Sequence, residues 1–285
     1  MMRAKLSPVP NRVRFLMLKS NNYTQWFRTL LWKTTVIAVV GFSFAYPFFN
    51  IPRGLLPTTP VLSLKKQPLP DFQNITDITE KKITFFGYLR PEVERQNEYL
   101  SALRTIIGQI NSDFVTKGQL SQVQHNQLKW LRDEYRVDDK LNLAVQLQQL
   151  ISKVDIIPEA LVLVQAANES AWGTSRFAQQ GYNFFGLWCF RAGCGFVPKN
   201  RNHGAVHEVA KFSQLAEATY TYMRNLNRHP AYQNFREIRS QLRTQQKPIT
   251  GLALSQGLEK YSERGQDYIE ELQRMIRFNR ALIDS

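Results

Sequence analysis

Glu169 closes a run, PEALVLVQAANES, that is apolar on almost every side. A stretch of that kind reads as a buried helix, with Pro158 in its first turn, where the missing N–H costs nothing. Gly173 suits the cap that ends it. A carboxylate at the C-terminal end of such a helix is opposed twice. The macrodipole disfavours its charge by about 0.3–1 kcal/mol, and apolar surroundings raise a carboxyl pKa by up to a few units. Both effects favour the protonated form, the state a general acid requires. The competing reading is a glutamate paired with Arg176 or Arg191 that pins the adjoining loop.

The residues after Glu169 tip that balance. From Ser170 to His207 there is no Asp or Glu, while Trp172, Tyr182, Phe184, Phe185, Trp188 and Phe190 crowd in. One acid beside aromatic rings suits sugars, whose apolar faces stack while polar groups read their hydroxyls. The plainer reading of these six is core packing, which some of them must serve.

The stretch ALVLVQAANESAWGTSRFAQQGYNFFGLW resembles the signature of the bacterial glucosaminidase family, glycoside hydrolase family 73, and is most similar to its Bax-type members. Asn183 to Leu187 resembles the family's asparagine–aromatic–Phe–Gly segment. Lys211 to Tyr232 and Tyr261 to Tyr268 are similar to later family segments, so the resemblance spans about 145–285. It implies a lysozyme-like fold and endo-β-N-acetylglucosaminidase activity on peptidoglycan glycan strands. It places the catalytic acid at Glu169 and puts Trp172, Asn183, Phe184, Phe185, Trp188, Tyr261 and Tyr268 against substrate. Tyr222 would bond the acetamido group or the charge developing at the reacting carbon; the alternative is a buried tyrosine with a satisfied hydroxyl.

The second catalytic group is expected at Glu208, on a predicted hairpin strand of the β lobe, although the spacing departs from the family's. Glu217 lies in a helix and reads as a cap or an ion-pair partner. An inverting base would stand about 6.5–9.5 Å from the acid; the alternative is assistance by the substrate's own N-acetyl group. A silent wall-binding protein on the same fold and a lytic transglycosylase compete with the hydrolase. The transglycosylase's usual Gly-Leu-Met-Gln segment is absent.

No cofactor or metal is expected, since His203, His207 and His229 share no ligand spacing with a suitable acid. Cys189 and Cys194 are expected to bridge in an oxidising compartment; two buried thiols are the alternative.

The elements that must position these residues are mainly helices. The expected class is α+β, mainly α: a lysozyme-like helical domain at 145–285 with a small β lobe at 181–212, turning at Asn202-His203-Gly204. Helices are expected from Pro91 to Ile110, Lys117 to Val137 and Asp139 to Val154, forming a helical extension at 86–144. Further helices fall at Leu215 to Asn227, Phe235 to Arg243, Leu252 to Tyr261 and Gln266 to Asn279. A Pro-rich tether occupies 51–85.

The 285 residues carry a net charge of +14, but residues 1–53 hold eight bases and no acid, leaving +6 for the remainder. Between Lys33 and Arg53 lie 19 uncharged residues. As a helix they would span about 28 Å, enough for a bilayer core. Bases before an apolar run hold the N-terminus in the cytoplasm. Residues 1–50 therefore read as a basic leader with a single-pass inner-membrane anchor, or as a cleaved signal that releases the rest into the periplasm. With the charge excess on the leader, anionic lipid is the nearer partner and nucleic acid is not expected.

Overall fold

The computed structural model describes residues 30–33, 35, 56–61, 68–198 and 207–284. The chain divides into compact units at Met1–Pro52 and Arg53–Ser285. In the first unit the described residues are helical. No helix among the described residues is long and apolar enough to cross a membrane. The expected span at 34–52 lies outside them except for Thr35, as does the Asn202-His203-Gly204 turn.

The second unit is built on α1 (Ile78–Lys117), 40 residues long with Pro91 inside it. The helix begins 13 residues before the proline expected to open it. Asp77 caps it, its side chain accepting from Glu80 N at 2.7 Å. An interior proline costs about 3 kcal/mol. Phe85, Phe86 and Leu89 lie in that earlier segment and are at most 1% exposed. Buried apolar side chains of that size contribute about 1.5–3 kcal/mol each, which offsets the proline.

Two helices follow, α2 (Gln122–Tyr135) and α3 (Leu143–Lys153), before the central α4 (Glu159–Ser170). Every residue from Leu161 to Ala167 is buried. A short α5 (Arg176–Gly181) leads into the β lobe: β1 (Trp188–Cys189), β2 (Gly195–Phe196) and β3 (Glu208–Ala210). The strand order is β1-β3-β2, so β3 is the centre of an antiparallel sheet. Trp188 pairs with Val209, Cys189 with Glu208, and Gly195 with Ala210. The chain then forms α6 (Leu215–Arg228), a 3-10 turn at Pro230–Tyr232, and α7 (Gln233–Thr244). The expected Leu252–Tyr261 helix is short: α8 (Gly251–Leu254) followed by a 3-10 turn. The last helices are α9 (Gln266–Phe278) and α10 (Arg280–Ile283).

One hydrophobic core runs from Phe72 on the stretch before α1 to Ile283. Polar ties fix the approach to α4. The Asn97 amide donates to Ile157 O at 2.9 Å and accepts from Ile157 N at 3.0 Å. Asp155, 2% exposed, is gripped by Arg243 at 2.7 Å and Arg104 at 3.3 Å. The buried Arg239 donates to Asp155 O and to Asn227 Oδ1. The segment that launches the central helix is thereby bound to α1, α6 and α7.

Candidate active site

After α4, three consecutive residues take left-handed backbone: Ala171 (φ 50°), Trp172 (φ 57°) and Gly173 (φ 79°). Only the glycine adopts that conformation freely; for L residues it costs about 1–2 kcal/mol each. Local bonds hold the turn. The Ser170 hydroxyl donates to Ala166 O at 2.6 Å and accepts from Gly173 N at 2.8 Å. Phe72 packs under Gly173 and leaves no room for a Cβ. Ala171, rather than Gly173, is the helix cap. Glu169, on the last turn, is thus carried by backbone fixed on both sides.

Its carboxyl is half-buried, with two different oxygens. Oε1 accepts from the Tyr268 hydroxyl of α9 at 2.9 Å. Oε2 faces Gly186, where an added Cβ would lie 3.0 Å away. Gly186 has φ 62°, so a side chain there would meet both strain and the carboxylate. Burial pushes the Glu169 pKa up; the Tyr268 hydrogen bond opposes this, Glu271 raises it further, and Arg264 lowers it. Arg264 and Glu271 themselves pair at 2.7 Å. Neither Arg176 nor Arg191 pairs with Glu169; Arg176 lies 5.1 Å over the Phe177 ring instead.

Behind Glu169 runs a buried relay. The Tyr222 hydroxyl donates to Gln165 Oε1, Gln165 Nε2 donates to Tyr268 Oη at 3.0 Å, and Tyr268 donates to Glu169. Each hydroxyl has one proton, so the direction is set. With Tyr222 donating into Gln165, the amide presents its N–H to Tyr268, whose proton is left for Oε1. Gln165 stands one helical turn before Glu169 on α4 and is fully buried.

A groove of about 540 Å³ opens from Gly186 and is lined by Leu187, Trp188, Phe190, Tyr232 and Tyr261, with one face of α6 as a wall. The Tyr261 ring stacks on Tyr268 with centroids 5.7 Å apart. Tyr232 has no hydrogen-bond partner for its hydroxyl among the described residues. Its pKa is pushed up to about 12 by burial and by the Glu169 charge. The groove therefore joins aromatic walls and an unengaged phenol, and it reaches Gly186, against which Glu169 Oε2 lies.

Known proteins share this chain's pattern. The glucosaminidase family model, described as mannosyl-glycoprotein endo-beta-N-acetylglucosaminidase, matches residues 144–280. Protein bax of Escherichia coli (strain K12) is 34% identical over 222 residues, covering 78% of this chain and 78% of the relative. The chain belongs to the glucosaminidase family. Its domain is accordingly a glycoside hydrolase domain. No solved structure matches the chain.

The groove receives only some of the residues expected to meet substrate. Trp188 and Tyr261 line it, and Tyr268 reaches the acid instead. Trp172 packs on Phe85 and Phe86 of α1, with centroids 5.5 and 5.4 Å away. Phe184 is fully buried against Phe85 and Tyr88. Phe185 is 1% exposed and stacks face to face on Tyr222 at 4.2 Å. The Asn183 amide donates to Leu187 O and Ala210 O, fastening the turn into β1. In this structure the three rings pack against other aromatics and the Asn183 amide ties backbone. Tyr222, expected to bond the acetamido group, is fully buried with its hydroxyl engaged by Gln165.

Glu208 lies on a strand of the β lobe, as expected, with its carboxylate engaged there. It is 5% exposed, with Oε1 accepting from Gly193 N at 2.9 Å and Oε2 from Gly195 N at 2.8 Å. Both oxygens are committed to the loop closed by the Cys189–Cys194 disulfide, whose Cα atoms are 6.3 Å apart. Glu208 does not line the groove. Glu217 caps the start of α6, accepting from Ser213 N and Oγ. Among the described residues, Cys189, Cys194 and Glu208 come close enough to share an ion. The bonded sulfurs and occupied carboxylate leave that trio nothing to offer a metal.

The residues missed by sequence reasoning are Gln165 and Glu271. Gln165 had a local signal: an amide at the turn before the acid, on a helix otherwise apolar. Glu271 had none.

Proposed function

We propose that the protein is an endo-β-N-acetylglucosaminidase cleaving β-1,4 bonds of peptidoglycan, with Glu169 as the general acid. The observation that carries this reading is the asymmetry of the Glu169 carboxyl. Oε1 is held as an acceptor by Tyr268, so the acid's proton belongs on Oε2, the oxygen that faces Gly186 at the groove. The raised pKa keeps that proton in place until the glycosidic oxygen takes it as the bond to the anomeric carbon breaks.

Among the described residues the groove lining contains no Asp or Glu. That favours the substrate's N-acetyl oxygen as the group that attacks the anomeric carbon, giving a cyclic intermediate that water opens with retained configuration. Tyr232, with its hydroxyl unengaged, is placed to bond the acetamido group. Trp188 offers an exposed face to a sugar ring. The basic leader and the uncharged run at 34–52 support export on a single-pass inner-membrane anchor, with the catalytic domain in the periplasm. The disulfide suits that compartment.

The test is digestion of purified peptidoglycan by the full chain, followed by mass spectrometry of the new ends. N-acetylglucosamine at the reducing end is the expected product. N-acetylmuramic acid there would overturn the bond assignment. An anhydro-sugar would identify a transglycosylase, and intact glycan would identify a silent binding protein.

A further inference from the structure

The groove leading away from Glu169 carries a charge that glycosidic cleavage does not use. Thr221, Arg224, Asn225 and Arg228 line it from α6. Their spacing of three, four and seven residues puts them on one stripe of the helix. Lys260 joins them on the lining, and Trp188 and Phe190 stand on the same groove with 55% and 71% of their surface exposed.

The positive charge is poorly compensated. Arg224 has one partner of opposite sign, Glu134 Oε1 of α2 at 3.2 Å. Arg228 donates to the backbone oxygen of the same residue at 3.0 Å, an uncharged partner. Lys260 is exposed and bonds no described residue. Past Arg228 the surface continues into a second hollow of about 370 Å³, which shares Arg228 and adds Lys153 and Arg236 against Glu237. Burial, then Arg236 and Arg136, pull the Lys153 pKa down to about 8. Burial and Arg224 lower that of Arg228. Cations that are partly buried and set close together gain from an incoming anion.

An aromatic wall and a cationic stripe on one groove ask for a ligand that is apolar-faced and anionic together. Guanidinium groups take planar carboxylates through paired N–H donors. Because the groove opens at Gly186 beside Glu169, an anion held at Arg228 belongs to the molecule whose sugar lies at the acid. We propose that Arg224, Arg228 and Lys260 form a subsite for the carboxylates of the peptide stem on the glycan strand, so that the enzyme selects stem-bearing over naked glycan. The subsite rests on the peptidoglycan reading of the groove.

Two measurements on the full chain test it separately from that reading. Calorimetric binding uses the Glu169→Gln variant with soluble glycan strands, either carrying peptide stems or stripped of them by an amidase. Reducing-end release uses the active protein on the same two substrates. Stem-bearing strands should bind about tenfold more tightly, as charge-assisted hydrogen bonds allow, and the preference should shrink at high salt. Arg228→Gln should collapse the ratio of the two affinities toward one. Lys260→Gln, at an exposed side chain without partners among the described residues, should reduce it without lowering the melting temperature. Equal binding of both strands, or a preference untouched by both substitutions, would overturn the subsite. A stem preference in binding with no cleavage of either strand would leave the subsite standing and defeat the hydrolase reading instead.

Discussion

The Tyr268 hydroxyl stands 2.9 Å from Glu169 Oε1 although the two residues are 99 positions apart in the chain. The bond favours the ionised acid, while burial and the Glu271 charge favour the protonated one. Under the proposed mechanism, the balance of these influences sets the pH at which Glu169 can still deliver its proton.

Opposite shifts are therefore expected from two substitutions. Tyr268→Phe removes a donor to the carboxylate, raises the Glu169 pKa further, and moves the alkaline limb of the kcat/KM profile to higher pH. Glu271→Gln removes a repelling charge, lowers that pKa, and moves the limb to lower pH. Gln165→Leu should follow Tyr268→Phe in direction, since Tyr268 then loses the amide donor that orients it. Profiles on soluble glycan fragments check all three; a Glu271→Gln limb at higher pH would contradict the assignment.

Glu169→Gln should lower kcat by about 10²–10⁴-fold or more, because an amide cannot protonate a leaving group. It should also make the fold more stable. A carboxyl whose folded pKa is raised above the ordinary 4.5 destabilises the fold once it must ionise. The variant's advantage should be largest at pH above the raised value and vanish below 4.5. Urea denaturation at several pH values reads the trend.

Glu208→Gln separates support from catalysis. The amide offers one oxygen to two backbone N–H donors, Gly193 and Gly195. The orphaned donor should cost about 1–3 kcal/mol, measured as a lower melting temperature, and the product should keep its anomeric configuration. A base at this position would instead give inversion in early-time NMR and a kcat loss of about 10²–10⁴-fold at unchanged KM.

Asp155→Asn should destabilise by about 3–5 kcal/mol, the cost of breaking a buried ion pair. Burial alone would raise the Asp155 pKa, but the Arg243 hydrogen bond with Arg239 and Arg104 holds it below the usual 3.8. That stability is complete above 3.8 and is lost as pH falls through the lowered folded value. The difference between wild type and variant in denaturant titrations should accordingly narrow on the acid side of 3.8.

Much of this protein was legible before folding was considered. Glu169 was marked by local signals, an acid ending a helix apolar all round with no other acid in the next 38 residues. The helices α2, α3, α6 and α7 follow hydrophobic periodicity, a short-range property of the chain, and α2 and α3 also carry side-chain caps. The start of α1 was not legible, because Pro91 is a local signal for a helix start and the burial of Phe85 and Phe86 against Trp172 is not.

The composition of the site around Glu169 was decided only in three dimensions. Phe184 and Trp188 are both large aromatics in one short segment, yet one is fully buried and the other 55% exposed. Residue type measures only the tendency to leave water, so it cannot separate a core ring from a platform. Glu208 was recognisable as the next acid, but its two amide partners come from a loop that reaches it only when β1 and β2 pair with β3. Sequence alone marked the acid, because the desolvation of Glu169 is imposed by its own helix. Tertiary structure chose Tyr268, Gln165 and Glu271 to tune it, because hydrogen bonds and charges act through space.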